Sequence, residues 1–209
     1  DGSNRFAIIF NPKCSDAQLL QMILQDLGVK AKQRNQFGYV NALNHFLIEE
    51  YSAGHNVIIL IDEAQHLSVN QLEQVRLLSN LETEKDKLLQ ILLIGQPELH
   101  QKLQLPQLRQ LRQRITIHYE LTALTASDIG NYIRHRLEQA AHPLANGEMV
   151  SFSDQAVAKL YAYSKGSPRT INILCDRALL AGFAAEKRVI DEYIIDNCAK
   201  EVIYCEHNL

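Results

Sequence analysis

Apolar residues follow two rhythms along this chain. In its first part they come as short runs: Phe6-Ala7-Ile8-Ile9-Phe10 and Val57-Ile58-Ile59-Leu60-Ile61 without a break, Leu88 to Ile94 around Gln90, and Ile115 to Tyr119 with Thr116 and His118 between its apolar positions. Runs of that length predict strands, buried ones where no polar residue interrupts them. Asn11-Pro12 ends the first of them. Between the runs the spacing turns helical. Ser15 is placed to N-cap a helix reaching Leu27, with Gly28 as its stop. A second helix is predicted from about Gly38 to Ala53, ended by Gly54. Leu72, Val75, Leu78 and Leu81 mark one face of a helix over 69–81. Strands separated by helices predict an α/β fold, a mostly parallel sheet with helices on both faces.

From Thr125 onward the pattern predicts helices only, at about 125–140, 153–165, 168–186 and 191–204. Thr125 with Asp128 forms an acidic variant of the capping box. Ser153 caps the next helix, and Ser167-Pro168 opens the one after it. His142-Pro143 through Gly147 reads as a loop. Two lobes follow: α/β over 1–121 and all-helical over 122–209. No internal repeat or low-complexity stretch interrupts them.

Composition narrows the class. With 209 residues, 46% apolar and 22% charged, the chain can bury a sizeable core and is not of disordered composition. A net charge of −3 argues against a general nucleic-acid coat. Val57–Ile61 is the longest aliphatic run, far below the ~20 residues of a membrane span. No basic stretch followed by an apolar run opens the chain, so neither a signal peptide nor membrane insertion is expected. The four cysteines, Cys14, Cys175, Cys198 and Cys205, show no zinc or redox spacing. They read as reduced thiols of a cytoplasmic protein, Cys198 and Cys205 lying two helical turns apart. The histidines show no metal-ligand spacing, and His66 reads as an ordinary loop residue.

The chemistry concentrates where the second run stops. Ile59-Leu60-Ile61-Asp62-Glu63 delivers two adjacent carboxylates at the C-terminal edge of a strand, where open α/β sheets bind ligands. Asp62 is suited to hold Mg²⁺ through water, and Glu63 to orient and deprotonate an attacking water. The third run ends in Gly95-Gln96-Pro97-Glu98, bringing the Gln96 amide to the same edge, in reach of a terminal phosphate or the water. No acid occurs between Glu98 and Glu120, a stretch with Lys102, Arg109, Arg112 and Arg114. Gly166-Ser167-Pro168-Arg169-Thr170 sets an arginine in the first turn of a helix. There its charge opposes the helix dipole unless an anion is near.

These features occur in the order of a known family. Phe10-Asn11-Pro12, Leu60-Ile61-Asp62-Glu63-Ala64-Gln65, Leu93-Ile94-Gly95-Gln96-Pro97-Glu98-Leu99, Gln113-Arg114-Ile115 and Gly166-Ser167-Pro168-Arg169-Thr170-Ile171-Asn172 resemble the AAA+ ATPase domain of the general secretion pathway protein A family, which includes the mannose-sensitive hemagglutinin pilus biogenesis ATPase. The resemblance spans nearly the whole chain. It implies ATP and Mg²⁺ as cofactors, Asp62 and Glu63 as the Walker B pair, Gln96 as sensor 1 and Arg169 as the sensor 2 arginine of a helical lid. It implies that Arg114 is the arginine finger toward a neighbouring subunit, with Arg109 and Arg112 as alternatives. Self-association with the ATP site at the subunit interface is implied too. So is work with secretion or type IV pilus machinery at the inner face of the bacterial inner membrane.

One element of the family is missing. A Walker A loop needs Gly-Lys-Ser/Thr, and none of the nine glycines precedes a lysine. The chain is therefore expected to be inactive alone, with strand edges left unpaired where the P-loop strand would lie. Three other readings compete. Asp62-Glu63-Ala64-Gln65 resembles motif II of DEAD/DEAH-type helicases, but the second lobe is helical rather than α/β. An AAA+ regulator of DNA transposition would use the acid-free 99–119 segment against DNA; the plainer account of that segment is an amphipathic helix burying Leu105, Leu108 and Leu111. A non-hydrolysing assembly module would have little reason to keep Asp62, Glu63 and Arg169 together.

Overall fold

Three of the apolar runs pair into one sheet. The structure, a computed structural model, describes residues 3–82, 86–140 and 149–206, with side chains through 201. The loop expected from His142-Pro143 through Gly147, the side chain of Cys205, and His207 lie outside them. Strands β1 (Asn4–Ile9), β2 (Asn56–Ile61) and β3 (Leu89–Leu93) are parallel, with β2 in the centre. Ala7 stands beside Ile59 and Ile9 beside Ile61; across β2, Val57, Ile59 and Ile61 stand beside Leu89, Ile91 and Leu93. Ala7, Ile9, Val57, Ile59 and Ile61 are each at most 2% exposed.

Helices α1 (Asp16–Asp26), α2 (Gln36–Ser52) and α3 (Val69–Leu78) cover that face. Leu19, Ile23, Leu43, Leu47, Leu72 and Val75 join its residues in one apolar cluster. Ser15 and Gln18 form a full capping box at the start of α1, and Gly28 takes φ 72° just after its end. Ser68 and Gln71 repeat the box on α3, and the buried Gln71 amide also donates to the Cys14 carbonyl at 2.8 Å. α3 stops at Leu78, short of the expected Leu81.

Among the described residues of this first unit no helix covers the other face of the sheet, contrary to the expectation of helices on both sides. Phe6 is 52% exposed, Leu92 50% and Ile8 39%. Handedness explains this. Both crossovers, β1 to β2 and β2 to β3, step the same way across the sheet, so a common right hand puts both on one face. The fourth run, Ile115 to Tyr119, is not a strand. It follows α4 (Pro97–Leu103), a short 3₁₀ turn and α5 (Arg109–Arg114), and forms no ladder. Ile117 and Tyr119 are more than four-fifths exposed, and among the described residues no strand pairs with this stretch to take up its backbone groups. In this stretch Leu108 and Leu111 are buried as an amphipathic helix requires, while Leu105 is exposed.

Between His118 and Tyr119 the chain passes into a second unit. It holds α6 (Ala126–Ala140), α7 (Asp154–Ser164), α8 (Pro168–Ala184) and α9 (Glu192–Glu206) around Ile129, Leu160, Ile171, Leu174 and Ile195. It is not helical throughout: β4 (Ser151–Phe152) and β5 (Val189–Ile190) form a two-residue parallel pair. Asp128 reaches back to the Thr125 N–H at 3.1 Å, as the acidic capping box predicts. Lys159 and Tyr163 of α7 both donate to Asp196 of α9, each at 2.9 Å. Gly166 takes φ 81° and lies so close to Leu124 that a Cβ would strike the Leu124 backbone. Among the described residues no helix is long and apolar enough to cross a membrane.

Two outcomes test this packing. Gly166→Ala adds both a left-handed strain and a backbone clash, so unfolding by denaturant should show the second unit destabilised by about 2 kcal/mol or more. The hydrogen bonds from Lys159 and then Tyr163 hold the Asp196 carboxyl below its ordinary range. A depressed carboxylate stabilises the fold above its unfolded value of about 3.9 and loses that contribution as pH falls through the folded value. Melting temperatures of Asp196→Asn and the parent should therefore differ at pH 6 and converge as the pH falls below about 4.

Candidate functional site

The backbone after β2 is fastened on both sides. Asp62 N–H donates to the Ile9 carbonyl of β1 at 2.8 Å, and Ala64 N–H to the Ile94 carbonyl beyond β3 at 2.8 Å. Between these ties, Glu63 N–H donates to Asp62 Oδ1 at 2.8 Å. Glu63 itself takes φ 52° and ψ 35°, the left-handed region that a long side chain enters only when its surroundings impose it. Both carboxylates are half-buried at the C-terminal edge of the central strand.

Gln65 sits at the centre of the arrangement, and sequence reasoning gave it no role. Its Nε2 donates to Glu63 Oε2 at 2.5 Å, while its Oε1 accepts the backbone N–H of Gln96 at 3.1 Å. Gly95 makes room for this amide, since a Cβ there would come within 2.8 Å of Gln65 Oε1. Lys102 of α4 donates to the carbonyls of Gln65 at 2.5 Å and Leu67 at 2.8 Å. The signal for Lys102 was its position, three residues after Leu99 and one before Leu103, next to the buried stripe of α4. The signal for Gln65 was weaker: an amide two residues beyond a carboxylate, with a glycine at the end of the adjacent strand.

The other expected residues occupy distinct places. Gln96 lies at the same end of the sheet as Asp62 and Glu63, at the N-cap position of α4, with its side chain exposed and making no capping bond. Arg114 is the last residue of α5 rather than the lead into a strand, and its Nη1 donates to the Ser79 carbonyl at 3.4 Å. Ser79 closes the end of α3 away from Glu63. Arg112 is committed inward, to the Leu103 carbonyl at 3.2 Å and Gln104 Oε1 at 3.0 Å. Arg109 is exposed. Arg169 belongs to the helical unit and is exposed in the first turn of α8, after the Ser167 cap.

Cysteines and metals add little. Burial pushes the Cys175 thiol up to about 12 and also raises Cys14 and Cys198, which disfavours the thiolate at all three. Among the described residues no three His, Cys, Asp or Glu side chains converge as a metal cage.

Comparison with known proteins bears on the fold and the family. Residues 2–103 match the AAA domain family. General secretion pathway protein A of Aeromonas hydrophila is 41% identical over 199 residues, which is 94% of this chain and 35% of that protein. The chain thus spans about a third of the length of that relative. Among solved structures, the Aeropyrum pernix ORC2 protein in its ADP form is similar over 95% of this chain and 53% of its own, with a TM-score of 0.66 and 14% identity. Cdc6p of Pyrobaculum aerophilum gives 0.65 at 16% identity, over 96% of this chain and 53% of its own. The Thermotoga maritima RuvB Holliday junction branch migration motor gives 0.54 at 14%, over 94% and 61%. At these identities the structures speak for the fold, an α/β AAA+ sheet followed by a helical region. Residues 2–103 thus carry the match to the AAA domain family, and over nearly its whole length the chain is similar to general secretion pathway protein A.

Proposed function

We propose that this chain carries the magnesium-and-water half of an AAA+ ATP hydrolase that serves type II secretion or type IV pilus assembly. The observation that carries this is the fastened turn at Asp62-Glu63, two half-buried carboxylates on the ligand-binding edge of a parallel sheet. The donor set suits Mg²⁺ brought by a nucleotide: this ion takes one or two carboxylates plus phosphate oxygens, not an all-protein cage. Asp62 would hold it, and when bound the ion would offset charge on the phosphates. Glu63 would orient the attacking water and accept its proton. The exposed Gln96 side chain would hydrogen-bond the terminal phosphate or that water. Arg169 would contact phosphate from the helical lid, residues 122–209, and closing or opening of the lid on the α/β lobe, residues 1–121, would follow nucleotide state.

The phosphate cradle has no residues here to build it, since no glycine precedes a lysine. In our proposal a P-loop from outside these 209 residues supplies it, its strand beside the open edge of β3 and its helix over Phe6, Ile8 and Leu92. The apolar character of that bare face supports this. Arg114, held at the end of α3 away from Glu63, would serve the site of a neighbouring subunit in an oligomer. The DNA-regulator reading loses ground because Lys102 and Arg112 of the basic segment are spent on carbonyls of their own unit.

Calorimetry with Mg²⁺-ATP should show no tight binding and no turnover for the 209-residue chain, and both for a version extended upstream through a Gly-Lys-Ser/Thr loop. Binding by the short chain would overturn the assignment of its missing half. In the extended chain, Glu63→Gln should leave ATP affinity unchanged and lower turnover by about 10²- to 10⁴-fold, the usual contribution of a general base. Full activity in that variant would remove Glu63 from its role.

A further inference from the structure

We infer that Gln65 is a positioning residue that links the base, Glu63, to the turn that presents Gln96. The inference rests on the hydrolytic reading of Glu63 and deepens it. One amide makes both contacts: Nε2 to the Glu63 carboxylate at 2.5 Å and Oε1 to the Gln96 N–H at 3.1 Å. An amide is the side-chain group suited to this, because it carries a donor and an acceptor at opposite corners of one plane. Its own freedom is small. The Gln65 carbonyl is held by Lys102, its side chain occupies the space left by Gly95, and the residue is the middle one of the 3₁₀ turn Ala64–His66 that the left-handed Glu63 starts. A shift of the Gln96 turn, such as a phosphate oxygen on the Gln96 amide would cause, therefore moves the Gln65 side chain and with it the Glu63 carboxylate. The base is oriented by the state of the adjacent strand end.

Two variants separate this link from mere stapling of a loop. Gln65→Ala removes the amide. Gly95→Ala keeps it but puts a Cβ within 2.8 Å of its oxygen, and a flexible side-chain end is what gives way. On the 209-residue chain, NMR hydrogen exchange at the Gln96 amide should quicken about fivefold in Gln65→Ala, the worth of one hydrogen bond. It should also quicken, about two- to threefold, in Glu63→Asn, which tolerates the left-handed backbone but ends a methylene short of Gln65. If Glu63→Asn leaves Gln96 exchange unchanged, the two ends are not linked and the inference fails.

In the ATP-hydrolysing extended chain, Gln65→Ala and Gly95→Ala should each lower turnover on the order of tenfold to a hundredfold with ATP affinity unchanged, as for a misplaced base. Unaltered turnover, or turnover and affinity falling together, would overturn it. Glu63→Gln serves as the control: if that variant stays active, the hydrolytic reading itself fails and the link has no reaction to serve.

Discussion

The turn after the central strand depends on two backbone hydrogen bonds that pull in opposite directions across the sheet. Asp62 is tied to β1 and Ala64 to the end of β3, so the residue between them has no extended path to follow. Glu63 accepts a left-handed backbone as a result. That cost, on the order of 1–3 kcal/mol for such a residue, is met by the parallel sheet on either side. The strained residue is also the one to which our proposal gives the most demanding chemical role. Had Glu63 continued the strand, its side chain would have alternated with Asp62 to the opposite face.

Around this turn the chain spends polar groups on holding rather than on display. Gln71 ties the start of α3 to the Cys14 carbonyl, and Lys102 ties α4 to the loop after Glu63. Both are single side chains with two jobs, since Gln71 also completes a capping box. Each fixes an element whose N-terminal end faces the same region as the carboxylates. The basic segment that looked like a surface is for this reason partly internal structure.

Much of this was legible in the amino-acid order. β1, β2 and β3 coincide with the short apolar runs of the sequence, and the ends of α1 and α2 are marked by Ser15, Gly28 and Gly54, whose local chemistry acts without help from the fold. The fourth run was not, because Ile115-Thr116-Ile117 has strand propensity but no edge to pair with, and pairing is a non-local property. The two-residue strands β4 and β5 are too short to leave a period. Asp62, Glu63 and Gln96 could be assigned to one edge because strand ends are readable. The Gln65 contacts could not, because they depend on how closely the ends of β2 and β3 approach, a distance that Gly95 sets and no pattern of hydrophobicity encodes. The bare face of the sheet was hidden for a related reason: a strand apolar on both sides says that it wants cover, not which crossovers deliver it.

That bare face also bears on how the polypeptide behaves in solution. Phe6 and Ile8 of β1, Ile58 and Leu60 of β2 and Leu92 of β3 share one apolar face across the three strands, and among the described residues the outer edge of β3 is unpaired. Surfaces of this kind are what holdase chaperones grip and what drives edge-to-edge association. With a net charge of only −3 there is little electrostatic repulsion to keep copies apart. Concentration, not intrinsic fold stability, then sets the practical limit on handling these 209 residues, and their solubility becomes a direct gauge of whether that face is covered.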